Sequence, residues 1–332
     1  MAKADWSDSH ARVHRLLKVR ALLPSQASVI VAVSGGQDSV TLLKLLVDLQ
    51  PKWQWYLQVI HCDHRWRKDS GDNARFVEQL CARWNIPCTI ISAAAPPATE
   101  ALARHWRYQV FENSAHGNGY SHIATGHTAT DRAETLLYNL IRGSGADGLQ
   151  ALAWERPISK ASPHLKVVRP LLDWTRQDTA AFCRQFRLPI WEDSTNQDTG
   201  YARNRIRLDI MPQLKGYFNP TVELTLAQTA ELLTADVDYL EQLTQELYEV
   251  VVQPSSTAGP WRIQRQPLRQ VHLALQRRVM RQVLQQITAA QVNFEAVEKL
   301  VALIHAPNRT RTDPFAGGVI GSVEGDWIIF RQ

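Results

Sequence analysis

Apolar and polar positions alternate along this chain in two distinct ways, and the change between them marks its architecture. Val29-Ile30-Val31-Ala32-Val33 is an unbroken apolar run, the pattern of a parallel strand covered on both faces. It is followed by Val40, Leu43, Leu46 and Val47, spaced by three and four as on one face of a helix. The alternation continues with strands over Tyr56 to Cys62, Ile86 to Ser92 and Ser121 to Gly126. Helices separate them over Asp72 to Asn85, Thr99 to Ala115 and Asp131 to Arg142. Strands alternating with helices predict an α/β fold with a doubly wound, mostly parallel sheet. Ligands of such sheets lie beyond the carboxyl ends of the strands, so the residues that follow Val33 and Gly126 belong to one rim.

The character changes after about Gly216. A long helix is expected from Thr221 to Val251. A second follows Pro267, with Val271, Leu275, Val279 and Val283 in a row, and a third lies near Phe294 to Ile304. Two short strands around Glu324-Gly325-Asp326 close the chain. The expected division is therefore a catalytic domain over 1–215 and a small helical domain ending in a β-hairpin over 216–332.

Composition narrows the class. The chain has 332 residues, of which 45% are hydrophobic and 21% charged, as in an ordinary globular protein. No apolar run approaches the ~20 residues that span a bilayer, and the first residues lack the apolar core of a signal peptide. A cytoplasmic location is the expectation. Cys62, Cys81, Cys88 and Cys183 form no C-x-x-C pair, which argues against a zinc, cluster or dithiol centre. The net charge of +5 is a mild pointer to a polyanionic partner. Arg269, Arg277, Arg278 and Arg281 lie opposite the apolar row of the second helix, as a solvated face or as a surface that tracks phosphates.

The candidate chemistry sits at the first strand-to-helix turn, Ser34-Gly35-Gly36-Gln37-Asp38-Ser39. A glycine-rich turn leaves backbone N–H groups free at the positive end of a helix and suits an anion. The plainer reading is a βα turn capped by Ser39. No G-x-x-x-x-G-K-[ST] or G-x-G-x-x-G occurs, which removes the two commonest nucleotide loops. On the same rim, Asp131 and Glu134 are three apart and share a helical face. They answer the helix dipole or hold an ammonium group. His127 reads as a core residue, a helix-entry residue or a phosphate donor, and Gly143 to Gly148 as a flexible loop suited to wrapping a substrate.

S-G-G-x-D-S resembles the pyrophosphate loop of the N-type ATP pyrophosphatases, or PP-loop superfamily. "GHTATDRAET…RGSGADG" is similar to the H-H-x-D-D-x-x-E-T…R-G-x-G-x-x-G stretch of tRNA(Ile)-lysidine synthetases. "ARHWRY" at 103–108, "RPLL" at 169–172 and "EDSTNQDTGYARNRIR" at 192–207 match that family in order and spacing. The pattern departs at Thr128 and Thr130, where the family has a second His and a first Asp.

The resemblance implies ATP-dependent ligation of lysine to C2 of the wobble cytidine of a CAU-anticodon tRNA(Ile), through an adenylated cytidine. It implies that Ser34, Gly35, Gly36, Gln37, Asp38, Ser39 and Arg207 bind ATP and that Asp38 holds Mg²⁺. Catalysis would fall to Asp38, His127, Asp131, Glu134 and Arg203. Asp131 and Glu134 would hold L-lysine, and Arg104, Arg107, Tyr108 and Arg142 the tRNA. No membrane and no protein partner is implied. The alternatives are a PP-loop enzyme of the 2-thiocytidine type, an amidotransferase-coupled synthetase, for which no glutaminase region is visible, and a catalytically silent RNA-binding module. The missing C-x-x-C argues against the first, and the presence of Asp38, Asp131 and Glu134 against the last.

Overall fold

The computed structural model describes residues 6–192, 198–200, 202–254, 260–288 and 292–331. Residues 193–197 and 201 of the 192–207 motif lie outside this set. The chain divides into two compact units, Met1–Thr234 and Ala235–Gln332. The division falls inside one long helix, whereas the sequence pattern changes at the start of the helical segment.

In the first unit, β1 (Ser28–Ala32), β2 (Tyr56–Asp63), β3 (Cys88–Ser92), β4 (His122–Thr125), β5 (Glu155–Pro157) and β6 (Lys166–Val168) form one sheet of order β3-β2-β1-β4-β6-β5. All neighbours are parallel except β5 against β6. The alternation of side chains along β1 sorts the helices. Val29 and Val31 pack with α1 (Asp8–Arg20), α2 (Gln37–Trp53), α3 (Ser70–Trp84) and α7 (Arg176–Gln185), through Val13, Leu17, Leu43, Val77 and Phe182. Ile30 faces the other way, with Ile60 and Ile123, onto Val110 and Phe111 of α4 (Glu100–Ala115). Both faces are covered, as the apolar run requires. The strand order turns back between β1 and β4, so the segments leaving these two strands flank one crevice.

After β4 come α5 (Ala129–Ile141) and the short α6 (Ala146–Leu149). Beyond α7 lie α8 (Ala202–Arg205), a π-helical turn (Ile206–Ile210), α9 (Met211–Tyr217) and the long α10 (Val222–Val251). α5 begins two residues before the expected Asp131, because Thr128 caps it, accepting from the Asp131 amide at 3.3 Å. β3 begins at Cys88 rather than Ile86, since Asn85 turns left-handed (φ 55°) and the Ile86 amide closes the end of α3.

The second unit is richer in strands than its sequence pattern. β7 (Val252–Gln253), β8 (Arg262–Gln264), β9 (Ile320–Glu324) and β10 (Trp327–Arg331) form an antiparallel sheet of order β7-β8-β10-β9. The expected hairpin is its β9–β10 half; β7 and β8 are too short to show a period. The helix expected after Pro267 is two pieces, α11 (Arg265–Arg269) and α12 (Leu273–Ile287). The break comes at His272, whose side chain caps α12 at the Ala274 amide. Val279 and Val283 of α12 are buried with Val297 and Leu300 of α13 (Phe294–Leu303) and with Val323, Ile328 and Phe330 of the sheet. No helix among the described residues is long and apolar enough to cross a membrane.

Candidate active site at the turn of the sheet

The turn after β1 is shaped by its glycines. Gly35 has φ +90°, and a Cβ there would stand 2.6 Å from the Asn73 side-chain oxygen. Asn73 donates to the Ser34 carbonyl (3.2 Å), and the Trp191 amide donates to the Gly35 carbonyl (2.9 Å), so α3 and the 191 segment brace the turn from two sides. Gly36 caps α2 without a side chain, and the first helical bond runs from the Val40 amide to the Gly36 carbonyl (3.0 Å). The amides of Gln37, Asp38 and Ser39 precede that bond and lie at the positive end of α2. Ser39 does not cap from outside; its hydroxyl donates to the Gly36 carbonyl (2.9 Å) and accepts from the Ser34 amide (3.2 Å). Ser34 is left exposed on the lip.

Asp38 points sideways from the turn. Thr179 donates to it at 2.5 Å, Gln37 at 3.4 Å, and Arg176 stands 3.3 Å away. Burial raises its pKa above the usual carboxylate range and the charge of Asp131 adds to this, while Arg176 and the two hydrogen bonds oppose the rise. Gln37 also donates to the Arg176 carbonyl (2.8 Å), which makes it a strut between α2 and α7.

Gly126, absent from the residues expected at the site, is what allows β4 and α2 to meet. A Cβ there would lie 2.9 Å from the Asp38 carbonyl oxygen and 3.0 Å from the Ser39 amide nitrogen. A glycine between the "AT" of a strand and the first turn of a helix was the available sequence signal. His127 follows, its Nδ1 sharing a 2.9 Å hydrogen bond with the Thr125 hydroxyl. Burial and the guanidinium groups of Arg169, Arg203 and Arg104 hold its pKa well below the ordinary value, against the pull of Asp131. His127 is therefore a neutral imidazole at physiological pH.

Asp131 and Glu134 do share a face of α5, and they meet the two arginines of the 192–207 motif. Glu134 is fully buried; Arg207 donates to both its oxygens (2.7 and 2.8 Å) and Arg203 to one (3.1 Å). Arg203 also donates to Asp131 (3.0 Å), whose second oxygen accepts from the Thr128 amide and hydroxyl, each at 2.8 Å. Burial would raise the Asp131 pKa, but Arg203, Arg176 and the Thr128 amide that donates to it hold it far below the carboxylate range. Thr128 and Thr130, the two departures from the family pattern, both take structural hydrogen bonds. Thr128 closes a capping box with Asp131, and the Thr130 hydroxyl accepts from the Arg176 amide (3.2 Å).

Arg104, Arg107 and Tyr108 lie on α4. Arg104 stands 5.0 Å over the Tyr108 ring and Arg156, from β5, 4.8 Å from its centre. The ring thus has two guanidiniums close to it. Arg142 follows α5, over Tyr138 (5.3 Å), to whose hydroxyl it donates at 3.1 Å. The expected flexible loop at 143–148 is tied down, with Asn139 donating to the Gly148 carbonyl (2.7 Å) and the Ser144 amide to the Asn139 carbonyl (2.9 Å). In the second unit, Arg277 pairs with Glu298 (2.7 Å) and Arg278 with Glu241 (3.0 Å), so the basic stripe of α12 is largely neutralised by its neighbours.

Chemically, the crevice offers oriented amides for phosphates, a carboxylate at their edge, and a buried cluster of two acids and two arginines within reach of a neutral histidine. Residues 7–214 match the PP-loop domain family. The chain is 54% identical to the tRNA(Ile)-lysidine synthase of Nostoc sp. over 98% of each chain. It is 46% identical to that of Synechocystis sp. over 97% of each, and 33% identical to the chloroplastic enzyme of Zygnema circumcarinatum over 87% of this chain and 78% of that one. Its fold also resembles the U34-tRNA thiolase NcsA of Methanococcus maripaludis, with a TM-score of 0.57 at 17% identity over 68% of this chain and 78% of that one. Read together with a glycine turn after β1 and an Asp131–Glu134 pair after the neighbouring β4, these matches place the chain in the tRNA(Ile)-lysidine synthase family of PP-loop proteins.

Proposed function

We propose that this protein joins the ε-amine of lysine to C2 of the wobble cytidine in a CAU-anticodon tRNA(Ile), using ATP. The observation that carries the reading is the placement of the Asp131–Glu134 pair beside the phosphate turn at the reversal of strand order. In the first step the cytidine O2 attacks the α-phosphate and pyrophosphate leaves. The free amides at the start of α2 and the hydroxyls of Ser34 and Ser39 hold the β- and γ-phosphates. Charge building on the α-phosphate is met by donors already in place, for which Arg203, Arg207 and neutral His127 are the nearest. Asp38 suits a hard cation: it is a carboxylate beside the amide turn, and a cation there would add to the counter-charge that Arg176 supplies against burial and Asp131. Mg²⁺ bound there supplies neutralisation of the triphosphate.

In the second step the lysine amine attacks C2 and AMP leaves. An ammonium group must be held and then lose a proton. Asp131 and Glu134 are the acids in reach, and in the free protein their oxygens are taken by Arg203 and Arg207. When phosphate draws those guanidiniums away, the carboxylates become available to the amine. Arg104, Arg107 and Arg142 supply positive charge along the path of the RNA, with Tyr108 beside them, and we assign tRNA binding to the second unit as well.

Incubation with ATP, lysine and unmodified CAU tRNA, followed by nucleoside mass analysis, tests the reading. Cytidine gaining the mass of lysine less water is the expected product. Pyrophosphate release that does not depend on the tRNA, or a product formed equally from ammonia or a sulfur donor, overturns it.

A further inference from the structure

The charges around Tyr108 do not balance. Arg104 and Arg107 come from α4, Arg156 from β5, and Arg169 directly follows β6. Among the described residues none of the four makes an ion pair with an acid. Arg169 is 1% exposed and its Nε has no hydrogen-bond partner; the buried Nε of Arg107 has none either. Elsewhere in this unit the arginines of buried clusters face carboxylates, as Arg132 does with Glu231 (2.7 Å) and Arg207 with Glu134. Arg104, Arg156 and Arg169 instead face one another, neutral carbonyls and a phenol, and Arg107 feels Arg104, Cys62, Tyr108 and Glu100 without pairing with an acid. Arg104 lies 3.4 Å from the Tyr108 hydroxyl, Arg156 donates to the Pro157 and Ile158 carbonyls, and Arg169 to that of Ala153. Like charges gathered without counter-charge, Arg169 fully buried and the other three half-buried, are costly to the free fold. That arrangement persists where a ligand supplies the missing charge.

We infer that Arg104, Arg107, Arg156 and Arg169, gathered round Tyr108, form a seat for a phosphate group. The guanidinium fork matches phosphate oxygens, and four of them exceed what one carboxylate could neutralise. The seat adjoins the crevice: Arg169 follows the strand next to β4, and both Arg169 and Arg104 act on the charge state of His127. Two sources of the phosphate fit, the phosphates of the nucleotide and the backbone phosphate beside the target base. The inference rests on the proposed reaction for the identity of these ligands, while the seat itself follows from the uncompensated charge.

The test titrates pyrophosphate, and separately a short single-stranded RNA containing CAU, into the full chain at fixed ionic strength. The parent is compared with Arg107→Gln and Arg156→Gln, and with Arg107→Lys, which keeps the charge if the amide variant folds poorly. At least a tenfold loss of affinity for one ligand in both Gln variants is expected, with partial recovery in the Lys variant. The ligand that loses affinity identifies the source. Affinities for both ligands within threefold of the parent, with a lowered unfolding midpoint, would show the arginines to be structural and overturn the seat. A parent that binds these ligands yet makes no lysidine would count against the proposed reaction and not against the seat.

Discussion

Glu134 accepts three hydrogen bonds from two guanidiniums and is closed to solvent, so both its oxygens are oriented by the fold before any ligand arrives. Glu134→Gln leaves Arg203 and Arg207 facing a neutral amide. Breaking a buried pair from one side costs about 3 kcal/mol or more, which chemical denaturation of the variant should show. Asp131 differs: it is held from one side by Arg203 and from the other by its own helix cap. Asp131→Asn keeps most of the capping geometry but removes a charge from the proposed ammonium site. The apparent KM for lysine should rise at least tenfold while tRNA-dependent pyrophosphate release falls less. An unchanged lysine KM would leave Asp131 as a cap and a partner of Arg203 alone. These two acids were visible in the sequence as an i,i+3 pair. Their partners were not, because Arg203 lies 69 residues from Glu134 in the chain and nothing local links them.

The elements of the site are set against each other by close backbone approach. α2 and the end of β4 touch at Gly126, where the nearest atoms are the backbone of Asp38 and Ser39 rather than a side chain that could swing away. Gly126→Ala demands no unusual φ, so the chain can still fold, but the new methyl must push the start of α2 off the rim. Amides aligned on a phosphate lose their effect over less than an ångström. The variant should keep its far-UV spectrum and lose at least tenfold in ATP affinity, measured by titration calorimetry. ATP affinity within twofold of the parent would show that the turn can shift as a unit. Element boundaries were legible where caps are strong, as at Thr128, and blurred where an element is two or three residues long, as β5 to β8 are. A period cannot be read from so few positions.

At the scale of the whole molecule, buried histidines set the response to acid. His61, His64, His122 and His127 all have lowered pKa values, with burial the largest cause in each, and His64 is pushed down to about 4. A base whose pKa is lower folded than unfolded binds fewer protons in the native state. Stability is then complete above the unfolded value near 6.5 and is lost as pH falls below it. His64 contributes to that loss between about pH 6.5 and pH 4. Unfolding midpoints should fall steadily from pH 7 to pH 4, and His64→Gln should flatten that slope. A slope unchanged in the variant would move the acid sensitivity to other groups. The second unit allows a test by opposite signs. If the α12 face tracks RNA, Glu298 and Glu241 compete with phosphate for Arg277 and Arg278. Glu298→Gln with Glu241→Gln should tighten RNA binding, and Arg277→Gln with Arg278→Gln should weaken it. Each phosphate that goes unneutralised should flatten the salt slope by about one unit. Equal affinity in both pairs would mark the face as a solvated surface.

The sequence by itself determined the alternation of strands and helices, the parallel sheet, the glycine turn and the pair of acids, because each is written in neighbouring residues. Period, caps and turn chemistry act over one or two turns of chain and survive without tertiary context. Only the tertiary structure decided which charges meet. It closed Arg203 and Arg207 on Glu134 and paired the α12 stripe with acids from α10 and α13. It left the four arginines around Tyr108 without an acid partner. Electrostatic pairing depends on distance in space, and that distance is set by how the sheet and its helices pack.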